Sequence, residues 1–169
     1  MRSGTTVIGV GRVTRPHGIA GEVKVECDPF YFEALLEAKR VLIGDPPQSV
    51  RVLSARPHQR AVLLLLEHIR QRNDAERLRG ALVCLTEDQL PYLGEHRWYP
   101  HQLIGLQVVR ERDGELLGVL TEVLATGSND VYVVQRSRGE LLLPALPEVI
   151  RHVDLAAGIM RVVVPEGME

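Results

Sequence analysis

Polar and apolar residues alternate most cleanly over Glu22-Val23-Lys24-Val25-Glu26-Cys27, the period-two signature of a strand buried on one face. Val7 to Val13 alternates more weakly, is rich in Gly and Val, and also reads as a strand. Between them Arg15-Pro16-His17-Gly18 reads as a loop, because Pro and Gly punctuate it. Asp28-Pro29 breaks the second strand, and Phe32 to Ala38 predicts one short helix. Arg40 to Ile43 is a brief strand ended by Gly44-Asp45-Pro46-Pro47. Val50 to Ala55 and Ala61 to Glu67 predict two more, separated by Arg56-Pro57-His58-Gln59-Arg60. The run Val62-Leu63-Leu64-Leu65-Leu66 is too apolar for a surface strand, which places it centrally with both faces covered. Asn73, with Glu76 three residues on, predicts a capped helix that runs through Leu78 and stops at Gly80. Ala81 to Thr86 returns as a strand. Short strands divided by Gly/Pro turns predict a small barrel over residues 1–90, and closure removes its exposed edges.

Glu87 to Pro100 has no clear period and contains Pro91, Gly94 and Pro100, so residues 91–100 read as a linker. The chain's one Trp falls here, in Trp98-Tyr99. The pair reads as an anchor that packs the linker onto a domain or holds the domains together; a partner hot spot is the alternative. Residues 101–169 predict a second small antiparallel barrel. Leu106 to Arg110 and Leu116 to Leu124 flank an Asp113-Gly114 hairpin turn. Thr126-Gly127-Ser128-Asn129-Asp130 turns the chain into Val131-Tyr132-Val133-Val134, and Ser137-Arg138-Gly139 into Leu141-Leu142-Leu143. Pro147 predicts the first turn of a short helix. Ile159 to Val164 is the last strand, and Pro165 to Glu169 a frayed tail.

Composition narrows the function. The formal net charge is −2, which argues against a simple nucleic-acid coat. Residues 1–90 carry 13 Lys+Arg against 11 Asp+Glu, whereas residues 91–169 carry 7 against 11. Cys27 and Cys84 stand in apolar alternating runs without a second ligand at metal spacing, so reduced core thiols and no metal site are expected. The absence of an apolar leader or long apolar run predicts a cytoplasmic protein without a membrane span. No Walker loop, dinucleotide glycine pattern or paired-carboxylate motif points to an enzyme or a cofactor.

The densest signal lies between Gly11 and Val25. Gly18 and Gly21 allow close backbone approach, while Arg12, Arg15, His17 and Lys24 stand in or beside the connection. Such a segment can follow a phosphate backbone with forked Arg contacts. A tight structural turn with solvated charges is the stronger reading from the residues alone. The turn Gly127, Ser128, Asn129, Asp130 reads by itself as a polar hairpin. Leu142 to Ile150, with Pro144 and Pro147, either seals a barrel end or offers an apolar docking surface.

Taken together, four segments in order resemble the RimM family of ribosome maturation factors. Pro16-His17-Gly18-Ile19 with Gly21-Glu22-Val23-Lys24-Val25 resembles its N-terminal signature. Trp98 to Leu106 resembles its aromatic segment, although Pro100 and Gln102 stand where the family often has Trp and Asp. Thr126 to Val131 resembles its Gly-x-Asn-Asp turn, and Leu143 to Val149 its Pro-Ala-x-Pro run. The resemblance implies a mainly β protein of two small β-barrels, a translation-factor-like N-terminal one and a C-terminal PRC-barrel. It implies a non-catalytic assembly chaperone for the head of the 30S subunit, the 3′ domain of 16S rRNA. The expected partners are ribosomal protein S-19 and nearby 16S rRNA, met by a monomer. Ribosomal contact is then expected at the Arg15 to Gly21 loop and the Gly127 to Asp130 turn, supported by Trp98 and Tyr99. Two alternatives compete with it. One is a PRC-barrel adaptor for a non-ribosomal partner, the other the substrate-binding part of an RNA-modifying enzyme.

Overall fold

The computed structural model describes residues 6–168, and they divide into two compact units, Met1–Gly94 and Glu95–Glu169. In the first unit the strands are β1 (Val7–His17), β2 (Glu22–Cys27), β3 (Arg40–Ile43), β4 (Gln48–His58), β5 (Ala61–Leu66) and β6 (Leu82–Thr86). Two short helices, α1 (Phe32–Glu37) and α2 (Arg72–Glu76), interrupt them. The strands close into a barrel in the order β1-β2-β5-β4-β3-β6, with β6 returning antiparallel to β1.

The strong alternation of β2 appears as buried Val23 and Val25 between exposed or half-buried polar neighbours. β5 pairs with β2 on one side and β4 on the other, and Ala61, Val62, Leu63, Leu64 and Leu66 are all buried, as its unbroken apolar run predicts. Each fully buried aliphatic side chain of this kind contributes roughly 1.5–3 kcal/mol.

β1 departs from the expectation. It runs on through Arg15, Pro16 and His17, and only Gly18 to Gly21 form the turn. The weak alternation has a cause. The buried positions are Ile8, Val10, Val13 and Pro16, and the ladder shifts register between Gly9 and Gly11 and again between Val13 and Arg15. Each bulge adds one residue and resets which side chains face inward. β4 likewise extends beyond Ala55 through Pro57 to His58, leaving only Gln59 and Arg60 between the strands. The helix expected from Asn73 begins at Arg72 with Gln71 in the capping position.

The second unit contains α3 (Pro100–Leu103) and strands β7 (Gln107–Arg110), β8 (Leu116–Leu124), β9 (Val131–Gln135), β10 (Glu140–Pro144), β11 (Ile150–Asp154) and β12 (Ile159–Val162). Their order is β10-β9-β8-β7-β12-β11. The alternating pattern predicts antiparallel pairing throughout this unit, but β12 runs parallel to β7. α3 is an additional element, begun by Pro100, whose missing N–H is harmless at a helix start. The helix expected at Pro147 does not form; Pro147 to Val149 make a turn in which the Val149 and Ile150 N–H groups both donate to the Leu146 carbonyl. Leu103, Leu120, Leu143, Met160 and Val162 are the centre of this unit's core. The tail expected from Pro165 is irregular as far as Met168, and Glu169 lies outside the described residues.

Candidate functional site

Of the residues predicted in the first unit, Arg12, Arg15, His17 and Lys24 lie on the β1–β2 ladder rather than in a loop, and Gly18 and Gly21 lie in the turn that joins the two strands. Three facing pairs matter, namely Arg12 with Glu26, Arg15 with Lys24, and His17 with Glu22. Arg12 also donates from Nη1 to the Gly80 carbonyl at 2.6 Å. Neither the Arg15 nor the Lys24 side chain makes a hydrogen bond or ion pair among the described residues. His17 packs its ring 4.9 Å from that of His58. Glu22 receives a forked pair of bonds from Arg56, at 3.0 and 2.9 Å. The Arg56 hydrogen bonds, against an opposing effect of burial, hold the Glu22 carboxyl below its ordinary value.

The turn itself is tied to α2. Gly21 has φ +90°, and a Cβ there would meet the Ile69 carbonyl at 2.9 Å and the Gln71 nitrogen at 3.0 Å. Only glycine fits that approach. Arg72 donates from Nη1 to the Gly18 carbonyl at 3.1 Å, and Arg79 from Nη1 to the Thr14 carbonyl at 3.0 Å. Arg79 gives its other donors to Glu76 at 2.6 and 3.1 Å. Next to these tethers Ile19 is 89% exposed. Arg56, His58, Arg72 and Arg79 escaped sequence reading because their partners lie 34 or more residues away in the chain, except for the Glu76–Arg79 spacing.

In the second unit, Gly127, Ser128, Asn129 and Asp130 form the β8–β9 connection. The Thr126 hydroxyl donates to the Asn129 carbonyl, and the Asp130 carbonyl accepts from the Ala145 N–H at 2.9 Å. Burial pushes the Asp130 carboxyl above its ordinary value, with Arg97 opposing the shift. Burial, assisted by Asp130, pushes the neighbouring Tyr132 hydroxyl up to about 12.

Trp98 packs against the second unit's core, and Tyr99 is buried and caps α3, its N–H donating to Gln102 Oε1 at 2.8 Å. His96 meets the Trp98 ring edge-on at 6.4 Å, and His101 stacks on Tyr99 at 5.7 Å. Trp98, Tyr132, Leu146, Pro147 and Arg151 line an open groove of about 670 Å³. The residues predicted in the first unit and those predicted in the second are each positioned by contacts within their own unit. Among the described residues no group of three or more His, Cys, Asp or Glu is placed to hold a metal ion. Among the same residues no helix is long and apolar enough to cross a membrane.

A closed six-stranded β-barrel followed in the chain by a six-stranded β-unit defines a mainly β protein of two domains. Residues 8–90 match the RimM N-terminal domain, and residues 100–168 match the RimM PRC barrel domain. The chain belongs to the RimM family. It is 42% identical over 164 residues to the ribosome maturation factor RimM of Desulfitobacterium hafniense, covering 94% of this chain and 93% of that one. It is 36% identical over 172 residues to the RimM of Geotalea daltonii, covering 99% and 98%. A crystal structure from Pseudomonas aeruginosa, described as a 16S ribosomal RNA processing protein, is 32% identical with a TM-score of 0.48, covering 94% of this chain and 97% of that one.

Proposed function

We propose that this ribosome maturation factor acts as an assembly chaperone for the head of the 30S subunit, without catalysing a reaction. It holds ribosomal protein S-19 and nearby 16S rRNA in the immature arrangement and leaves once the mature one forms. A factor of this kind works by differential affinity, since a ligand shifts an equilibrium only as far as it prefers one state. The observation that carries the reading is the match of both units, in order and nearly end to end, to ribosome maturation factors. The uneven charge supports a division of labour, because residues 1–90 are net basic and residues 91–169 net acidic. Contact with rRNA is assigned to the β1–β2 hairpin around Arg15, His17 and Lys24. Contact with protein is assigned to the Gly127 to Asp130 turn and the groove beside Trp98. The protein works as a cytoplasmic monomer.

Sedimentation of a lysate tests this. The protein is expected to travel with free 30S subunits and to be depleted from 70S ribosomes. Equal association with both, or with neither, overturns the reading.

A further inference from the structure

We propose that the outer face of the β1–β2 ladder is a track for an RNA phosphodiester backbone, centred on the gap between Arg15 and Lys24. That the anion is ribosomal RNA rests on the chaperone function proposed above; the track itself rests on the ladder. Two of the three polar pairs along it are complementary, Arg12 opposite Glu26 and His17 opposite Glu22. Arg15 opposite Lys24 is not, and like charges directly across a strand pair destabilise it. The register shift between Val13 and Arg15 creates this pair, bringing Arg15 opposite Lys24 immediately after it. A bulge re-aims the side chains that follow it, and here the result is a repulsion between two cations without a bonded acid.

The surroundings favour an anion there. Two acids near the ladder already have cations of their own, Glu22 held by Arg56 and Glu76 by Arg79, and Glu26 stands across the ladder from Arg12. Arg12 and Arg72 flank the gap, and each has one donor fixed on a backbone carbonyl. A guanidinium has five N–H groups, so a single tether orients the fork and leaves donors for phosphate oxygens. The positions from Arg12 to His17 span roughly 16 Å of extended strand, long enough for a backbone rather than one isolated anion. The sign of the charge, its linear layout and the forked donors together select phosphodiester over carboxylate.

The full-length protein and a transcript of the 16S rRNA 3′ domain test the proposal, with affinity followed across salt concentrations. Arg15→Ala/Lys24→Ala is expected to weaken binding at least tenfold. The slope of log affinity against log salt should become shallower by about 0.7 for each phosphate that is no longer neutralised. Arg136→Ala/Arg138→Ala removes the same charge from the second unit and should change neither quantity. Lys24→Glu provides a readout that a structural role would not give. It should raise the melting temperature, because the repulsive pair becomes attractive, while it abolishes RNA binding. An unchanged salt slope in the first variant, or a lower melting temperature with Lys24→Glu, overturns the track. So does binding of polyglutamate to the wild type with the same dependence on the pair. If these variants retain 30S association while losing none of their RNA affinity, the track fails and the chaperone reading stands. If the wild type binds the transcript through the pair yet ignores 30S subunits, the track stands and the chaperone reading fails.

Discussion

The two units bury small β-sheets in different ways. In the first, every pair of neighbouring strands is antiparallel and the last strand returns to the first. In the second, one parallel pair stands among antiparallel ones, and the ladder ends at β10 and β11. The candidate residues follow that difference. Arg15, His17 and Lys24 sit on a ladder, so register decides what each of them faces. Gly127 to Asp130 and Pro147 sit between strands, so local turn geometry decides their placement. The first unit's chemistry is therefore bound to its folding, and the second unit's is more nearly free of it.

The largest expected effect concerns the two cores. Leu64, on β5 of the closed ring, and Leu143, on terminal strand β10, are both fully buried. Truncation of a buried Leu to Ala costs about 2–5 kcal/mol, depending on how far the site can collapse. Leu64→Ala should fall near the upper end of that range and Leu143→Ala near the lower, because a terminal strand can move inward. Urea denaturation of the two variants measures this, and equal losses would break the comparison.

Smaller effects are expected at the turns. Gly18→Ala should cost about 1–2 kcal/mol, since its φ of +68° is unfavourable for a side chain although the space is open. Gly21→Ala carries the same backbone cost and adds ~1–3 kcal/mol from its collision with the Ile69–Gln71 backbone. Gly127→Ala, with open space and no positive φ, should stay within about 0.5 kcal/mol. Melting temperatures should follow the order Gly21 lowest, then Gly18, then Gly127. A large loss at Gly127 would show that the second unit's turn is as constrained as the first unit's.

The smallest effect is one of sign. Glu22, lowered by Arg56, stabilises the folded state above its unfolded value of 4.5, and that contribution is lost as pH falls through the lower folded value. Asp130, raised by burial, opposes folding once it is ionised. That penalty disappears as pH falls through its folded value towards 3.8. Acidification should thus weaken the first unit at Glu22 and relieve the second at Asp130. Carboxyl-carbon NMR should place Glu22 below 4.5 and Asp130 above 3.8, and Glu22→Gln and Asp130→Asn should each remove one of the two pH dependences.

Much of the fold was legible because burial imposes a period. The alternation of Glu22 to Cys27 and the apolar run of Val62 to Leu66 have no other economical explanation. The Asp113-Gly114 turn was legible because few residue pairs adopt its geometry, and Gly114 has φ +74°. β1 was cut short because two bulges broke its period and Pro16 resembled a terminator. The pairing of β12 with β7 was invisible, because hydrophobic alternation shows which face of a strand is buried but not which strand lies beside it. The site behaves the same way. Arg15, His17 and Lys24 could be found as a local cluster, but the tethers from Arg72 and Arg79 depend on distant sequence. The opposition of Arg15 and Lys24 depends on a register shift that no local pattern announces.

The pairing of β1 with β6, and of β7 with β12, has a consequence for how this chain is made. In each unit the first strand to leave the ribosome takes a late one as a neighbour, and in both cases that is the unit's last. Neither sheet can be completed in the order of synthesis, because non-local strand pairs must wait for loop closure. A nascent chain halted before β12 would leave one side of β7 unpaired and β11 without its ladder partner. Stalled or truncated products should therefore be substrates for proteolysis, and the cell should receive each unit either whole or not at all.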